Sequence, residues 1–167
     1  MTQLCFVGIP EKVAADVRTT MRSPQYGHPA HRETASGTGP CRLCLRTFVI
    51  GQDERILFTY QPFQDPGSLP APGPVFIHAH ACARYEATEM PPDFRTLPLV
   101  LEAYGDGGKL IAQERVGTEA VEESLRQLFE PGTTRYVHIR NGEAGCFMAR
   151  VERAGHGRKT GHSHQCL

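Results

Sequence analysis

Hydrophobic residues near the start of the chain change from a strand-like to a helical spacing. Residues 3–9, QLCFVGI, form a short apolar run of the length that strands favour. After Pro10, apolar side chains recur every four positions at Val13, Val17 and Met21, which places them on one face of a helix. The pattern predicts a strand followed by a helix that ends before the next Ser-Pro pair.

The segment that follows carries no apolar periodicity. Residues 23–40 are crowded with Pro, Gly, Ser and His, so we predict a long mobile loop. Three β-branched and aromatic runs come next, over residues 45–51, 55–63 and 73–81, separated by turn-rich stretches. Such runs are typical of the strands of an antiparallel meander.

The second half of the chain predicts a hairpin, a helix and a closing hairpin. In residues 97–116, GDGG separates two strand-like runs and supplies residues that tolerate positive φ. Residues 118–132 carry apolar positions three and four apart, with Thr118 as the predicted N-cap, and residues 134–153 contain two further strand-like runs. We therefore predict an α+β fold built on an antiparallel sheet with two main helices.

Composition and charge limit the classes of protein to consider. A chain of 167 residues, 40% of them hydrophobic, suits one globular domain, which we place at residues 1–153, with a disordered His-rich tail over 154–167. Eighteen basic and eighteen acidic side chains cancel, which argues against nucleic acid or membrane and favours a small molecule or another protein as partner. No apolar run approaches the roughly 20 residues that span a bilayer, and the start lacks the basic flank of an export signal, so we expect a cytoplasmic protein.

Cysteine spacing carries the strongest chemical signal. In a reducing compartment, cysteines serve more often as thiols, metal ligands or catalytic groups than in structural disulfides. In GPCRLCLRTF, two residues separate Cys41 from Cys44, a gap that lets one tight turn present both sulfurs to a single ion. FIHAHAC supplies His78 and Cys82, with His80 between them, and the intervening 33 residues can form strands that return to the first pair.

This pattern predicts a structural zinc site. The predicted ligands are Cys41, Cys44, His78 and Cys82, with His80 as a substitute for His78. His78 is preferred because its wider gap from Cys82 lets the chain curl round the ion. Four protein ligands form a closed set, which is typical of structural zinc. Three thiolates leave the site with a formal charge of about −1, and Arg42, Arg46 and Arg84 are near in sequence to offset it.

Other interpretations of these thiols stay open. A lone CxxC pair is often two buried core thiols. A thioredoxin-like redox couple needs a helix to follow the pair, whereas a strand is predicted to follow Cys44. If His78 is only a strand histidine, three thiolates would leave a coordination position open for water, and hydrolytic chemistry would become possible.

A second candidate site lies in the closing hairpin, YVHIRNGEAGC. A nucleophilic cysteine at Cys146 would need His138 as a base on the same sheet face. With three loop residues, Arg140 pairs with Cys146 and the thiol joins the face of His138; with two or four, the thiol points the other way. The sequence leaves this register open, and an exposed strand histidine beside a small buried thiol is the plainer alternative.

The stretches GPCRLCLRTF, GPVFIHAHACARYE and YVHIRNGEAGCFMARVER together resemble a bacterial family known only as domain of unknown function 1203. The resemblance runs over about residues 6–153 and implies one soluble domain. Its shared positions are matched by Cys41, His138, Asn141 and Cys146. The resemblance implies that the full four-ligand set belongs to a subgroup, because some members carry serine where this chain has Cys44 and a non-ligand where it has His78.

Two function classes follow from these sites. The first is a zinc-stabilised binding or regulatory module. The alternative is a cysteine-dependent transferase, hydrolase or redox enzyme whose candidate catalytic residues are Cys146, His138 and Asn141. A zinc-ribbon-like nucleic-acid binder is a third possibility, against which the charge balance argues.

Overall fold

The computed structural model describes residues 2–63 and 72–155. Over those residues the chain forms two α helices and nine strands, all paired antiparallel. In chain order the elements are β1 (Leu4–Val7), α1 (Glu11–Thr20), β2 (His31–Thr34), β3 (Glu54–Tyr60), β4 (Gly73–His78), β5 (Glu86–Ala87), β6 (Leu99–Tyr104), β7 (Leu110–Val116), α2 (Val121–Phe129), β8 (Tyr136–Asn141) and β9 (Phe147–Arg153). The predicted α+β fold with two main helices is confirmed.

The larger sheet has six strands in the order β5-β1-β9-β8-β6-β7. One of its faces packs against α2, which buries Val121, Leu125 and Phe129. Side chains that alternate along β6, β8 and β9 meet them, including Leu101 and Ile139. Because successive strand residues point to opposite faces, the residues between these face away from α2.

The smaller sheet has three strands in the order β2-β3-β4. Its core joins Ile56, Phe58 and Ile77 to the α1 residues Ala14 and Val17. Phe147 of β9 also belongs to this core, so the smaller sheet lies against the larger sheet on the side opposite α2.

Four expectations differ from the structure. The antiparallel strands form two sheets instead of one, and β2 lies within the segment predicted as a loop. Residues 45–51, predicted as a strand, do not form one and instead follow a turn. Leu45 has a φ of 59°, which is not a strand conformation, and Thr47 N–H donates to Asp93 Oδ2 at 2.7 Å rather than to a neighbouring strand. α2 begins after Ala120 without any side-chain cap, so Thr118 is not its N-cap.

Two expectations about chain ends and mobility stay predictions. The mobility of residues 23–40 and the single-domain boundary at residue 153 are not tested by the positions of these elements. Of the tail predicted over residues 154–167, residues 156–167 lie outside the described part. Among the described residues, no helix combines the length and the apolar character needed to cross a bilayer.

Candidate metal centre

A tight turn presents the first two sulfurs. Leu45 N–H donates to Cys41 O, and Cys41 N–H donates to Arg46 O, both at 2.8 Å. The left-handed conformation of Leu45 closes this turn and directs Cys41 and Cys44 to the same side. The two-residue gap therefore works as the sequence predicts, although no strand follows it.

The turn is pressed against the end of β1. Ile9 N–H donates to Arg42 O at 2.9 Å, and a Cβ at Gly8 would lie only 2.1 Å from Leu43 O. Since any side chain at position 8 would collide with this backbone oxygen, glycine is required for the close approach. The contact fixes the turn relative to the larger sheet.

Strand β4 carries the second pair of predicted ligands to the turn. Arg42 N–H donates to Phe76 O at 2.9 Å, which joins the turn to β4. His78 is the last residue of β4, and its backbone N–H donates a hydrogen bond to Cys41 Sγ at 3.3 Å. The chain then bends, so that Cys82 returns with its Sγ at 3.8 Å from Cys41 Sγ.

Four side chains meet at this point and form what we term the cysteine cluster. Its members are Cys41, Cys44, His78 and Cys82, each with a ligand atom within 4.8 Å of the others. A tetrahedral ion with metal–sulfur bonds of about 2.3 Å and metal–nitrogen bonds of about 2.1 Å separates two sulfurs by about 3.8 Å and a sulfur from a nitrogen by about 3.6 Å. The observed distances are 3.8 Å for Cys41 Sγ to Cys82 Sγ and 3.5 Å for Cys44 Sγ to His78 Nδ1. The cluster can therefore hold one metal ion.

His78, not His80, belongs to the cluster. His80 is exposed, and its ring centroid lies 4.6 Å from that of His78. The other ring nitrogen of His78, Nε2, lies 3.4 Å from Asp53 Oδ2, and this carboxylate also accepts the Val49 N–H at 2.8 Å. A carboxylate behind a histidine ligand fixes the ring orientation and raises its basicity. Asp53 thus holds Nδ1 toward the sulfurs.

Two arginines supply positive charge around the sulfurs. Arg18 of α1 donates from Nη2 to Cys82 Sγ at 3.4 Å and from Nε to the His78 carbonyl at 3.0 Å. Arg46 lies beside Cys44, whose hydrogen bond and negative charge raise the pKa of the guanidinium. Of the three arginines predicted from sequence proximity, Arg46 has such a contact with a cluster sulfur, and the negative charge of Cys41 also acts on Arg42, although burial lowers the pKa of Arg42 overall.

Arg42 and Arg84 also donate hydrogen bonds to groups outside the cluster. Arg42 is buried and donates to Cys146 Sγ at 3.1 Å, while Arg84 donates to the Gly8 carbonyl at 3.0 Å. Sequence reasoning missed Arg18, since its only signal is a basic residue in the last turn of a helix. The fold, and not sequence distance, brings it to the cluster.

Protonation in the cluster is shared among its members. Burial lowers the pKa of His78, but hydrogen bonds to Cys41 and Cys44 outweigh this effect and raise it to about 10. Hydrogen bonds from Cys41 and Cys82 lower the pKa of Cys44, whereas hydrogen bonds to Cys41 and Cys44 raise that of Cys82. The sulfurs thus favour a positive charge at His78 Nδ1, and their negative charge would attract a metal cation for the same reason.

The closing hairpin does not bring the candidate catalytic residues together. Asn141 N–H donates to Cys146 O at 2.9 Å, which leaves a four-residue loop of residues 142–145. Cys146 Sγ accepts from Arg42, and neither ring nitrogen of His138 has a hydrogen-bond partner in the part of the chain that the structure describes. Asn141 Oδ1 accepts from the backbone of the loop, so this side chain shapes the turn.

The described cysteines fall into two groups. Free thiols are present at Cys41, Cys44, Cys82 and Cys146. Cys5, on β1, is disulfide-bonded, so the expectation of free thiols does not hold at that position. It does not belong to the cysteine cluster.

One known protein family matches the part of the chain that contains both the cysteine cluster and the closing hairpin. Residues 38–153 match the family model described as "Protein of unknown function (DUF1203)". The chain belongs to the DUF1203 family. The matched region contains the whole cysteine cluster and the closing hairpin, and it confirms the resemblance found in three sequence stretches. No curated protein and no solved structure matches this DUF1203 chain.

Proposed function

We propose that this DUF1203 protein is a zinc-stabilised binding or regulatory module of the cytoplasm, whose partner is a small molecule or another protein. The cysteine cluster holds one structural zinc ion in this proposal. The observation that carries it is the spacing of the ligand atoms, which matches a tetrahedral site at both measured distances.

The donor set favours zinc in a structural role. Three sulfurs and one imidazole nitrogen are ligands that zinc prefers, and together they complete a tetrahedral shell with no position for water. Three thiolates around a divalent ion carry a formal charge of about −1. Arg18 and Arg46 supply the nearby positive charge that such a site needs.

A zinc ion would act as a cross-link between distant parts of the chain. Cys41 and Cys82 are 41 positions apart, and they connect the turn behind β1 to the end of β4. In zinc-finger peptides, binding of structural zinc contributes on the order of 10 kcal/mol to folding. The ion would thereby fix the smaller sheet and α1 relative to the larger sheet.

Elemental analysis of protein purified without an affinity tag tests the proposal. We expect about one zinc per chain, loss of that zinc in Cys44→Ser, and full retention in the matched control Cys146→Ser, since Cys146 lies outside the cluster. Absence of metal from the parent protein, or a stoichiometric content of iron instead of zinc, would contradict it.

A cysteine-dependent enzyme is the second candidate function, and one observation favours it. The half-buried thiol of Cys146 accepts a hydrogen bond from the buried guanidinium of Arg42. A positive partner beside a partly accessible thiol is the setting in which reactive cysteines occur. Selective alkylation of Cys146 at neutral pH would support this function. Alkylation no faster than that of a free cysteine would count against it.

A further inference from the structure

A second buried histidine lies on the face of the larger sheet that points away from α2. Glu102 of β6, His138 of β8 and Arg150 of β9 stand directly opposite one another in the strand register and form a row across three strands. Arg140, two positions after His138, projects to the same face. We call this group the polar face.

The imidazole of His138 lacks hydrogen-bond partners within the described part of the chain. Its side chain is completely buried, and among residues 2–63 and 72–155 neither Nδ1 nor Nε2 finds a hydrogen-bond partner. Four aromatic rings surround the imidazole at centroid distances from 4.9 to 5.1 Å, those of Phe63, Tyr104, Tyr136 and Phe147. Buried polar atoms are nearly always paired, and unpaired ones concentrate at functional sites.

The groups left open on the polar face are mainly donors. The Glu102 carboxylate is already occupied, since it accepts from Tyr104, Gln113 and Arg140 at 2.6 to 2.8 Å. Arg140 Nη2 is buried without a partner among the described residues. Arg150 Nε lies 3.2 Å from a Glu152 oxygen, but without the geometry of a hydrogen bond.

The imidazole itself is neutral. Burial, together with the positive charges of Arg150 and Arg140, lowers the pKa of His138 to about 2. A neutral imidazole offers one N–H donor and one acceptor nitrogen. The polar face therefore presents three donors without a hydrogen-bond partner among the described residues, from Arg140, Arg150 and His138, against one such acceptor, the second ring nitrogen of His138.

We propose that the polar face binds a small organic anion, a carboxylate or phosphate on an apolar body, whose oxygens accept hydrogen bonds from Arg140, Arg150 and His138. This inference names the class of ligand for the binding module proposed above. It rests on that proposal only in assuming that the protein functions by binding, and it does not require the zinc ion. The site shares no residue with the cysteine cluster.

Nitrogen-15 NMR of the His138 imidazole, with zinc content measured on the same sample, tests the inference. The probes are benzoate, phenyl phosphate, inorganic phosphate and, as a neutral analogue of benzoate, benzamide. We expect the nitrogen-15 resonance of His138 to shift in a saturable way with benzoate or phenyl phosphate, and not to shift with benzamide. Whichever of the two anions binds identifies the anionic group as a carboxylate or a phosphate. Because charge-assisted hydrogen bonds contribute strongly to binding, Arg150→Gln should weaken it about tenfold or more, while the exposed Arg115→Gln, which removes the same charge, should not.

Each outcome decides for or against the inference. No saturable shift with any anion at millimolar concentration overturns it, as does equal binding of benzamide, or binding of inorganic phosphate that is unchanged in Arg150→Gln. If Arg150→Gln does not fold, His138→Leu replaces it, because removal of an unpartnered group leaves no buried partner behind. Since this variant has no His138 imidazole to observe, its binding of benzoate and phenyl phosphate is compared with that of the parent by isothermal titration calorimetry, and it must lose binding. Zinc-loaded protein without anion binding contradicts only this inference, and zinc-free protein with anion binding contradicts only the zinc site.

Discussion

Two buried histidines of this DUF1203 protein have opposite protonation behaviour. The side chains of His78 and His138 are 5% and 0% exposed, so burial disfavours the charged form of both. Nevertheless the pKa of His78 rises to about 10, while that of His138 falls to about 2. The difference lies in their neighbours, which are sulfurs for His78 and arginines for His138.

This contrast shows that burial alone does not assign a role to a histidine. Sulfurs that share a pocket with an imidazole nitrogen favour any positive charge placed among them, whether a proton or a metal ion. Arginines beside an imidazole favour a neutral ring and an incoming negative group. The first histidine is therefore suited to a cation site, and the second to an anion site.

Among the changes considered, removal of zinc should have the largest effect on the stability of the protein. Chelation, or Cys44→Ser, should lower the free energy of unfolding by several kcal/mol, up to about 10 kcal/mol, because the proposed zinc ion would join elements that are distant in sequence. Thermal unfolding followed by circular dichroism measures the loss. Cys146→Ser, the matched control, should unfold near the parent temperature. Equal unfolding temperatures with and without chelator would show that a metal in the cysteine cluster does not stabilise the fold.

Acid should distinguish His138 from an apolar residue. The folded pKa of His138 lies below its ordinary value of 6.5, so the unfolded chain binds a proton at this position before the folded chain does, and the free energy of unfolding of the parent falls as pH falls from 6.5 toward 2. In His138→Leu this loss is absent. The difference in free energy of unfolding between variant and parent should therefore widen by up to about 1.4 kcal/mol per pH unit below 6.5, as measured by urea unfolding. A constant difference from pH 7 to pH 4 would contradict the assignment.

A smaller effect is expected from the carboxylate behind His78. Asp53→Asn keeps an oxygen for the Val49 N–H but removes the charge that orients the imidazole. Loss of such an outer partner typically weakens metal binding about 10- to 100-fold. Competition with a zinc-binding dye measures the affinity. Asp16→Asn, which changes an exposed ion pair with Lys12, is the control and should bind zinc like the parent.

The smallest effect is expected for His138→Leu at neutral pH. A leucine of similar volume removes two unpartnered polar atoms from an aromatic environment, so the variant should be more stable than the parent by about 1 kcal/mol. The same substitution at His78 should do the opposite, because it removes a ligand from the cluster. Destabilisation by His138→Leu in chemical unfolding would show that the imidazole is satisfied in solution.

The four members of the cysteine cluster could be predicted from the sequence because their spacing is local on each side. Two cysteines three positions apart need only one turn, and His78 and Cys82 need only a strand end and a bend. Arg18 and Asp53 could not be predicted, since they reach the cluster through the packing of α1 and through a turn before β3. The positions of the cluster residues can be predicted from local sequence spacing, whereas the residues that surround the cluster are brought there by tertiary packing.

The closing hairpin illustrates a different limit. Its two strands follow directly from the sequence pattern, but the side on which the Cys146 thiol lies depends on the length of the loop. The four-residue loop and a register shift between Ile139 and Arg140 determine it. Likewise, the strand predicted over residues 45–51 failed because apolar residues such as Leu45 and Phe48 can also be buried from a loop.

The most direct test of the central claim is X-ray absorption at the zinc edge on protein that was never exposed to an affinity tag or chelator. The account predicts a first shell of three sulfurs at about 2.3 Å and one nitrogen at about 2.0 Å, with the nitrogen contribution lost in His78→Ala and retained in His80→Ala. A shell dominated by oxygen, or a nitrogen signal that disappears only in His80→Ala, would contradict a zinc ion held by the cysteine cluster.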